Sequence, residues 1–167
     1  MEENSMPAMT DPMDALLDFR RAIAQREIRV QPADFHPGIF VHVDQPAGAP
    51  RYTYALVEDG DVTAVALLAL TEPIESVPTF QLGYAVMESR RGGGRAQRVA
   101  MAAINEICRG LRRNEIPKLC FEAVVDRENI VSLHIAEKVI GGTRTECLDH
   151  DSGVPAIQFQ CFVGSSA

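Results

Sequence analysis

A chain of 167 residues with 46% hydrophobic and 23% charged side chains, twelve glycines and ten prolines has the composition of an ordinary globular protein; collagen-like, coiled-coil and wholly disordered chains are excluded. No apolar run approaches the roughly 18 residues of a membrane span, and Met1-Glu2-Glu3-Asn4-Ser5 is acidic where a secretory leader would be basic, so the expectation is a cytoplasmic protein with no membrane partner. The net charge of −7, from 16 basic against 23 acidic residues, speaks against nucleic acid as a partner.

Residues 1–10, rich in Met and without periodicity, read as a flexible lead-in, and 11–163 as a single domain. Asp11-Pro12 is a helix start, and Met13, Leu16, Leu17 and Ile23 recur at helical spacing, which predicts a helix to about Gln25. Pro32, Pro37 and Gly38 make 28–43 irregular, with a short extended piece over 39–43. Residues 52–57 and 62–70, around Glu58-Asp59-Gly60-Asp61, predict an antiparallel hairpin with a four-residue loop. A loop is expected over 71–78, then a strand over 79–87.

Gly92-Gly93-Gly94 then opens into a helix over 95–114, with Val99, Ala102, Ala103, Ile107 and Leu111 on one face. Pro117 stops it. A strand over 118–125, a helix over 129–139 closed by Gly141-Gly142, and a strand over 156–163 complete the chain. The order predicts a mixed α/β (α+β) domain with a parallel crossover behind an antiparallel hairpin. Cys108, Cys120, Cys147 and Cys161 stand 12, 27 and 14 positions apart, a spacing that predicts reduced core thiols and no metal site.

Charge is unevenly placed. Seven arginines and one acid, Glu106, lie between Arg90 and Arg113, a local net +6 that leaves −13 on the remainder. A basic island in an acidic chain suits a compact anion. Three arginines of that island, Arg109, Arg112 and Arg113, complement the helix dipole in the last turn.

The segment Arg91-Gly92-Gly93-Gly94-Arg95-Ala96 delivers a strand into a helix N-terminus, where unpaired amides and a partial positive charge receive phosphate. Gly92 and Gly94 supply conformational freedom; Arg91 and Arg95 add positive charge. A nucleoside-triphosphate loop needs a Gly-Lys-Ser/Thr that is absent, and a dinucleotide fingerprint would need glycine where Gln97 stands.

What the segment does fit is R-x-x-G-x-A, on Arg91, Gly94 and Ala96. It resembles the pyrophosphate motif of the GNAT superfamily, the acetyl-CoA-dependent N-acetyltransferases. The preceding Leu82-Gly83-Tyr84-Ala85-Val86-Met87 resembles that family's central strand, and Asn129-x-x-Ser132 followed by Glu137-Lys138 resembles its second conserved region. The likeness covers about residues 52–163. It implies the GNAT fold, with an antiparallel hairpin leading into two splayed parallel central strands. It also implies acetyl-CoA as acyl donor, held by main-chain groups near Val86, by Arg91, Gly92, Gly93, Gly94, Arg95 and Ala96 at the pyrophosphate, and by Asn129 and Ser132 at the pantetheine. Asn129 can equally be a helix cap.

The implied activity is direct transfer of acetyl to a primary amine of a small molecule or peptide; a homodimer is left open. An acyl-CoA-binding sensor or degenerate scaffold is the alternative. Transfer needs a base for the ammonium proton and an acid for the thiolate. The family's frequent strand glutamate is replaced in the stretch Phe80-Gln81-Leu82, and its helix tyrosine by Ala136. Base candidates are Glu75, with Glu72, before the central strand and Glu122 on the next; acid candidates are Tyr84 and His134. Where the family commonly has two helices shaping the acceptor pocket, this chain has the short, Pro-rich 28–51, and a helix precedes it instead.

Overall fold

The computed structural model describes residues 11–46, 48–149 and 152–164; the lead-in expected over 1–10 lies outside them. Asp11 caps the first helix, α1 (Pro12–Ala24), by accepting the Met13 amide at 2.9 Å, and Pro12 occupies a first-turn position where its missing N–H costs nothing. Leu16 and Phe19 form its buried face.

Eight strands follow: β1 (Gln31–Pro32), β2 (Ile39–Asp44), β3 (Arg51–Glu58), β4 (Asp61–Ile74), β5 (Val77–Val86), β6 (Lys118–Asp126), β7 (Thr143–Leu148) and β8 (Pro155–Gly164). They form one sheet in the order β1-β2-β3-β4-β5-β6-β8-β7. Every neighbouring pair is antiparallel except β5 and β6, which the crossover helix α2 (Arg95–Arg113) joins in parallel. A third helix, α3 (Ile130–Val139), links β6 to β7. No helix among the described residues is long and apolar enough to cross a membrane.

The sheet is covered on both faces, so β4 carries an unbroken buried run from Val62 to Leu68 in place of alternation. Leu56, Ala64, Ala66 and Leu68 join Val99, Ala100, Ala103 and Ile107 of α2 in the larger core. The alternate residues Ala55, Val65 and Ala85 meet Leu16 and Phe19 of α1 on the opposite face. Alanines at the α2 contact let helix and sheet approach closely.

The structure corrects four expectations. The β3–β4 turn is two residues long: Asp59 and Gly60 both take positive φ (51° and 78°), the geometry that matches strand twist. The loop expected over 71–78 is instead strand up to a two-residue turn, Glu75-Ser76, again with both φ positive (50° and 65°). The extended piece β7 was not foreseen at all; it is a largely exposed edge strand with no apolar alternation to betray it. Gly142, just before it, is required by packing: a Cβ there would collide with the Gln160 carbonyl oxygen. Of the four thiols only Cys120 is buried; the other three are partly exposed.

Glu106, the one acid of the basic island, is buried on α2. Its carboxylate accepts the Phe35 amide at 2.7 Å and the Asp34 amide at 3.2 Å, and meets His36 Nδ1 at 2.9 Å. Phe35 in turn lies beneath the Arg109 and Arg113 guanidinium groups, 4.6 and 4.8 Å from its ring centre. Arg113 in the last turn of α2, and Arg109 one turn earlier, therefore also hold the β1–β2 loop against the helix.

Candidate functional site

The parallel strands β5 and β6 are paired only through Thr79, Phe80 and Gln81 against Cys120, Phe121 and Glu122. Past that point β5 remains bonded to β4 as far as Val86, and β6 to β8 as far as Asp126. The two strands therefore fork, and their facing edges from about residue 83 and residue 124 onward have no partner strand. Unpaired backbone groups seek hydrogen bonds, and an extended amide-bearing ligand would supply them as an added strand does. Tyr84, Ala85 and Val86 on one side and Val124, Val125 and Asp126 on the other line a cleft of about 800 Å³. That volume suits a nucleotide-sized ligand.

At the open end of the fork the chain makes one 3₁₀ turn (Glu88–Arg90) and enters the glycine run. Gly92 and Gly94 take φ of 88° and 75°, values that side chains resist. Gly94 is the N-cap of α2, no side chain caps that helix, and its first turn holds no acid. Its leading amides thus point into the cleft with the positive end of the dipole behind them. Arg91 lines the same space, and none of the ion pairs among the described residues includes it. Arg95, read from sequence as further charge for a phosphate, spends its guanidinium on Glu58, at 2.6 and 3.0 Å.

The far wall is the start of α3. Asn129 is its N-cap, accepting the Ser132 amide at 3.1 Å, so the capping alternative holds for its side chain. Asn129 and Ser132 both border the cleft. Tyr84 reaches across to this wall: its hydroxyl donates to the Ser132 carbonyl at 2.9 Å and lies 2.7 Å from Ser132 Oγ. Burial pushes the Tyr84 hydroxyl above its ordinary value, against the smaller opposing effect of Ser132, so it keeps its proton at neutral pH.

Of the acid–base candidates, Tyr84 lines the cleft, and Glu122 stands at the root of the fork without being one of the lining residues. Glu122 is opposite Gln81 in the last bonded pair, on the sheet face away from α2, and its Oε2 accepts Gln158 Nε2 at 3.1 Å and Gln160 Nε2 at 3.4 Å. Tyr84 is on the opposite face. Glu75, by contrast, is at the tip of the β4–β5 hairpin, at the end of β5 remote from Val86, because that strand pair extends further than expected; Glu72 is exposed near the same tip. His134 is exposed on α3 and is not among the residues lining the cleft. Sequence reasoning missed that the start of α1, Asp11 to Met13, closes one side of the cleft; nothing local marks it, since the contact spans more than seventy positions.

A second hollow, about 460 Å³ between α3 and β7, offers a ligand little: its arginines, Arg127 and Arg144, are paired with Glu146 and Glu137.

No protein-family model matches the chain, and no curated protein does. Solved structures do. The ribosomal-protein alpha-N-acetyltransferase RimL, in complex with coenzyme A, superposes with a TM-score of 0.53 at 16% identity, over 70% of this chain and 64% of that one. A ribosomal-protein-alanine acetyltransferase from Vibrio fischeri gives 0.51 at 13% identity, over 67% and 60%. The fold is that of the GNAT acetyltransferases. A GnaT-family acetyltransferase of Bordetella pertussis agrees, at 0.50 and 17% identity over 70% and 66%. The chain thus spans somewhat under two thirds of the length of the first two. In GNAT terms β5 and β6 are the splayed central strands, and the helix expected before the irregular segment, α1, packs on the face opposite α2.

Proposed function

We propose that this protein is an N-acetyltransferase that binds acetyl-CoA in the forked cleft and transfers its acetyl group directly to a primary amine. The observation that carries the reading is the conjunction of an unpaired strand edge with an uncapped glycine-led helix start at its open end. One feature suits the amide-rich pantetheine arm, the other the pyrophosphate, and they follow one another along a single cleft. The described sheet and its helices serve as one catalytic domain.

Acetyl-CoA supplies a thioester carbonyl carbon open to attack. The backbone of β5 near Val86 orients that carbonyl, and Gly92 to Ala96 together with Arg91 hold the diphosphate. Glu122 takes the proton that an ammonium must lose before its nitrogen can attack. As the C–N bond forms and the C–S bond breaks, the Tyr84 hydroxyl, on the other face of the fork, gives a proton to the thiolate; the second proton shed by the nitrogen as it becomes an amide restores the tyrosine through solvent, and the first leaves Glu122 for bulk water. Asn129 and Ser132 border the pantetheine. Among the described residues no cysteine lines the cleft to carry the acetyl group covalently, which favours direct attack. The net −13 outside the arginine island suits a cationic acceptor.

The test is thiol release from acetyl-CoA across a panel of polyamines, amino acids and peptide N-termini. Turnover with any member supports the transferase; tight binding with no turnover across the panel would favour an acyl-CoA sensor.

A further inference from the structure

Behind the glycine loop lies a polar cluster that the proposed reaction does not use. Arg95 opens α2, and its guanidinium is gripped from three sides. Nε donates to Glu58 Oε1 at 2.6 Å and Nη2 to Oε2 at 3.0 Å, a bidentate pair, while Nη1 donates to the Arg90 carbonyl at 2.9 Å. Glu58 ends β3, and its Oε1 also accepts Thr63 Oγ1 of β4 at 2.7 Å. Both charged side chains are about three-quarters shielded, at 22% and 27% exposed. The middle glycine fits the same arrangement. Gly93 has an ordinary φ, but a Cβ on it would stand 2.7 Å from Arg95 Nη1, so the loop closes around this side chain.

We infer that Glu58 is a positioning residue for the diphosphate loop: through Arg95 it ties residues 90–95 to the β3–β4 hairpin and fixes the α2 amides and Arg91 in their receiving geometry. The inference rests on the acetyl-CoA reading above. It reverses the role that charge alone would give Arg95. A guanidinium committed to two carboxylate oxygens and a carbonyl is a brace for the loop, and the phosphate is met by the amides and by Arg91. The two roles predict opposite effects at Glu58. If Arg95 bound phosphate directly, removing its carboxylate partner would free it and tighten binding.

The test is a double-mutant cycle read by calorimetry with coenzyme A on the wild type, Glu58→Ala, Arg95→Ala and the double variant, with urea midpoints measured alongside. The brace predicts that each single variant weakens binding by about fivefold or more, and that the double is no weaker than the worse single. Unchanged or tighter binding in Glu58→Ala, or additive losses in the double, would overturn it. Amide exchange at residues 92–97 of the ligand-free protein reads the brace whether or not coenzyme A binds. It should quicken in Glu58→Ala and in Glu58→Gln, with exchange at the buried Ala103 unaltered; an unchanged loop would again refute the inference. A wild type that binds no coenzyme A while its loop loosens in these variants would refute the cofactor assignment alone.

Discussion

Gln81 and Glu122 face one another in the last bonded pair of β5 and β6, and beyond them the strands part. The carboxylate thus stands at the root of the fork, steadied by the amides of Gln158 and Gln160 on β8. Glu122→Gln keeps the shape and removes the basicity. Turnover should fall by about 10²-fold or more while coenzyme A affinity changes little. Steady-state kinetics at saturating donor read the effect. Unaltered turnover would move the base elsewhere.

Tyr84 does two things that a pair of variants separates. Its hydroxyl bonds the start of α3, so Tyr84→Phe should cost about 1 kcal/mol, seen as a loss of about 2–4 °C in melting temperature for a domain of this size. As the proton donor to the departing thiolate it should also cost at least about tenfold in turnover. Ser132→Ala, which leaves the carbonyl partner and the tyrosine proton in place, should keep most of both. Equal kinetic losses in the two variants would assign Tyr84 a purely structural role.

The Glu58 brace has a pH signature. The Arg95 hydrogen bonds above all, then Thr63, with the Arg95 and Arg90 charges assisting, lower the Glu58 carboxyl to about 2 from an ordinary value of 4.5. A depressed carboxyl contributes stability above its unfolded value and loses it as pH falls through the folded one. The stability gap between wild type and Glu58→Gln should therefore be level from pH 7 to 5 and shrink between about pH 4.5 and 2. Paired urea titrations at stepped pH measure it. A gap that closed already near pH 6 would implicate another group.

How far the chain could be read from its residues depended on whether each signal was local. Asp11-Pro12 and Pro117 punctuate helices through their own backbones, and the bounds of α1 and α2 follow within a residue or so. The Asp59-Gly60 turn is legible for the same reason, although its true length needs the strand register. Glu75 and Ser76 adopt positive φ without glycine, and Pro73 and Pro78 beside them read as breakers; both prolines sit where the β4–β5 register is irregular. Hence a hairpin passed for a loop, and Glu75 passed for a neighbour of the site.

The same distinction divides the site. The amides of 92–96 and the cap at Asn129 were visible because glycine and asparagine act within a few positions of themselves. The partner of Arg95 was not, because Glu58 lies 37 residues away at the end of another strand, where no local pattern points to the helix start. Nor does any local pattern disclose the fork. It arises because β6 follows β8 while β5 follows β4, a competition of pairings that exists only in the assembled sheet.

In the proposed function, bare helix amides behind Gly94 receive the diphosphate of coenzyme A. Isothermal calorimetry of coenzyme A against the wild type and Gly94→Glu isolates that contact. The variant places a carboxylate where the anion would sit, at a left-handed backbone position costing about 1–2 kcal/mol, so a melting curve accompanies each titration. Saturable one-to-one binding by the wild type and none by the folded variant is the expected result. No heat from the wild type, or equal affinity in the two proteins, would contradict it.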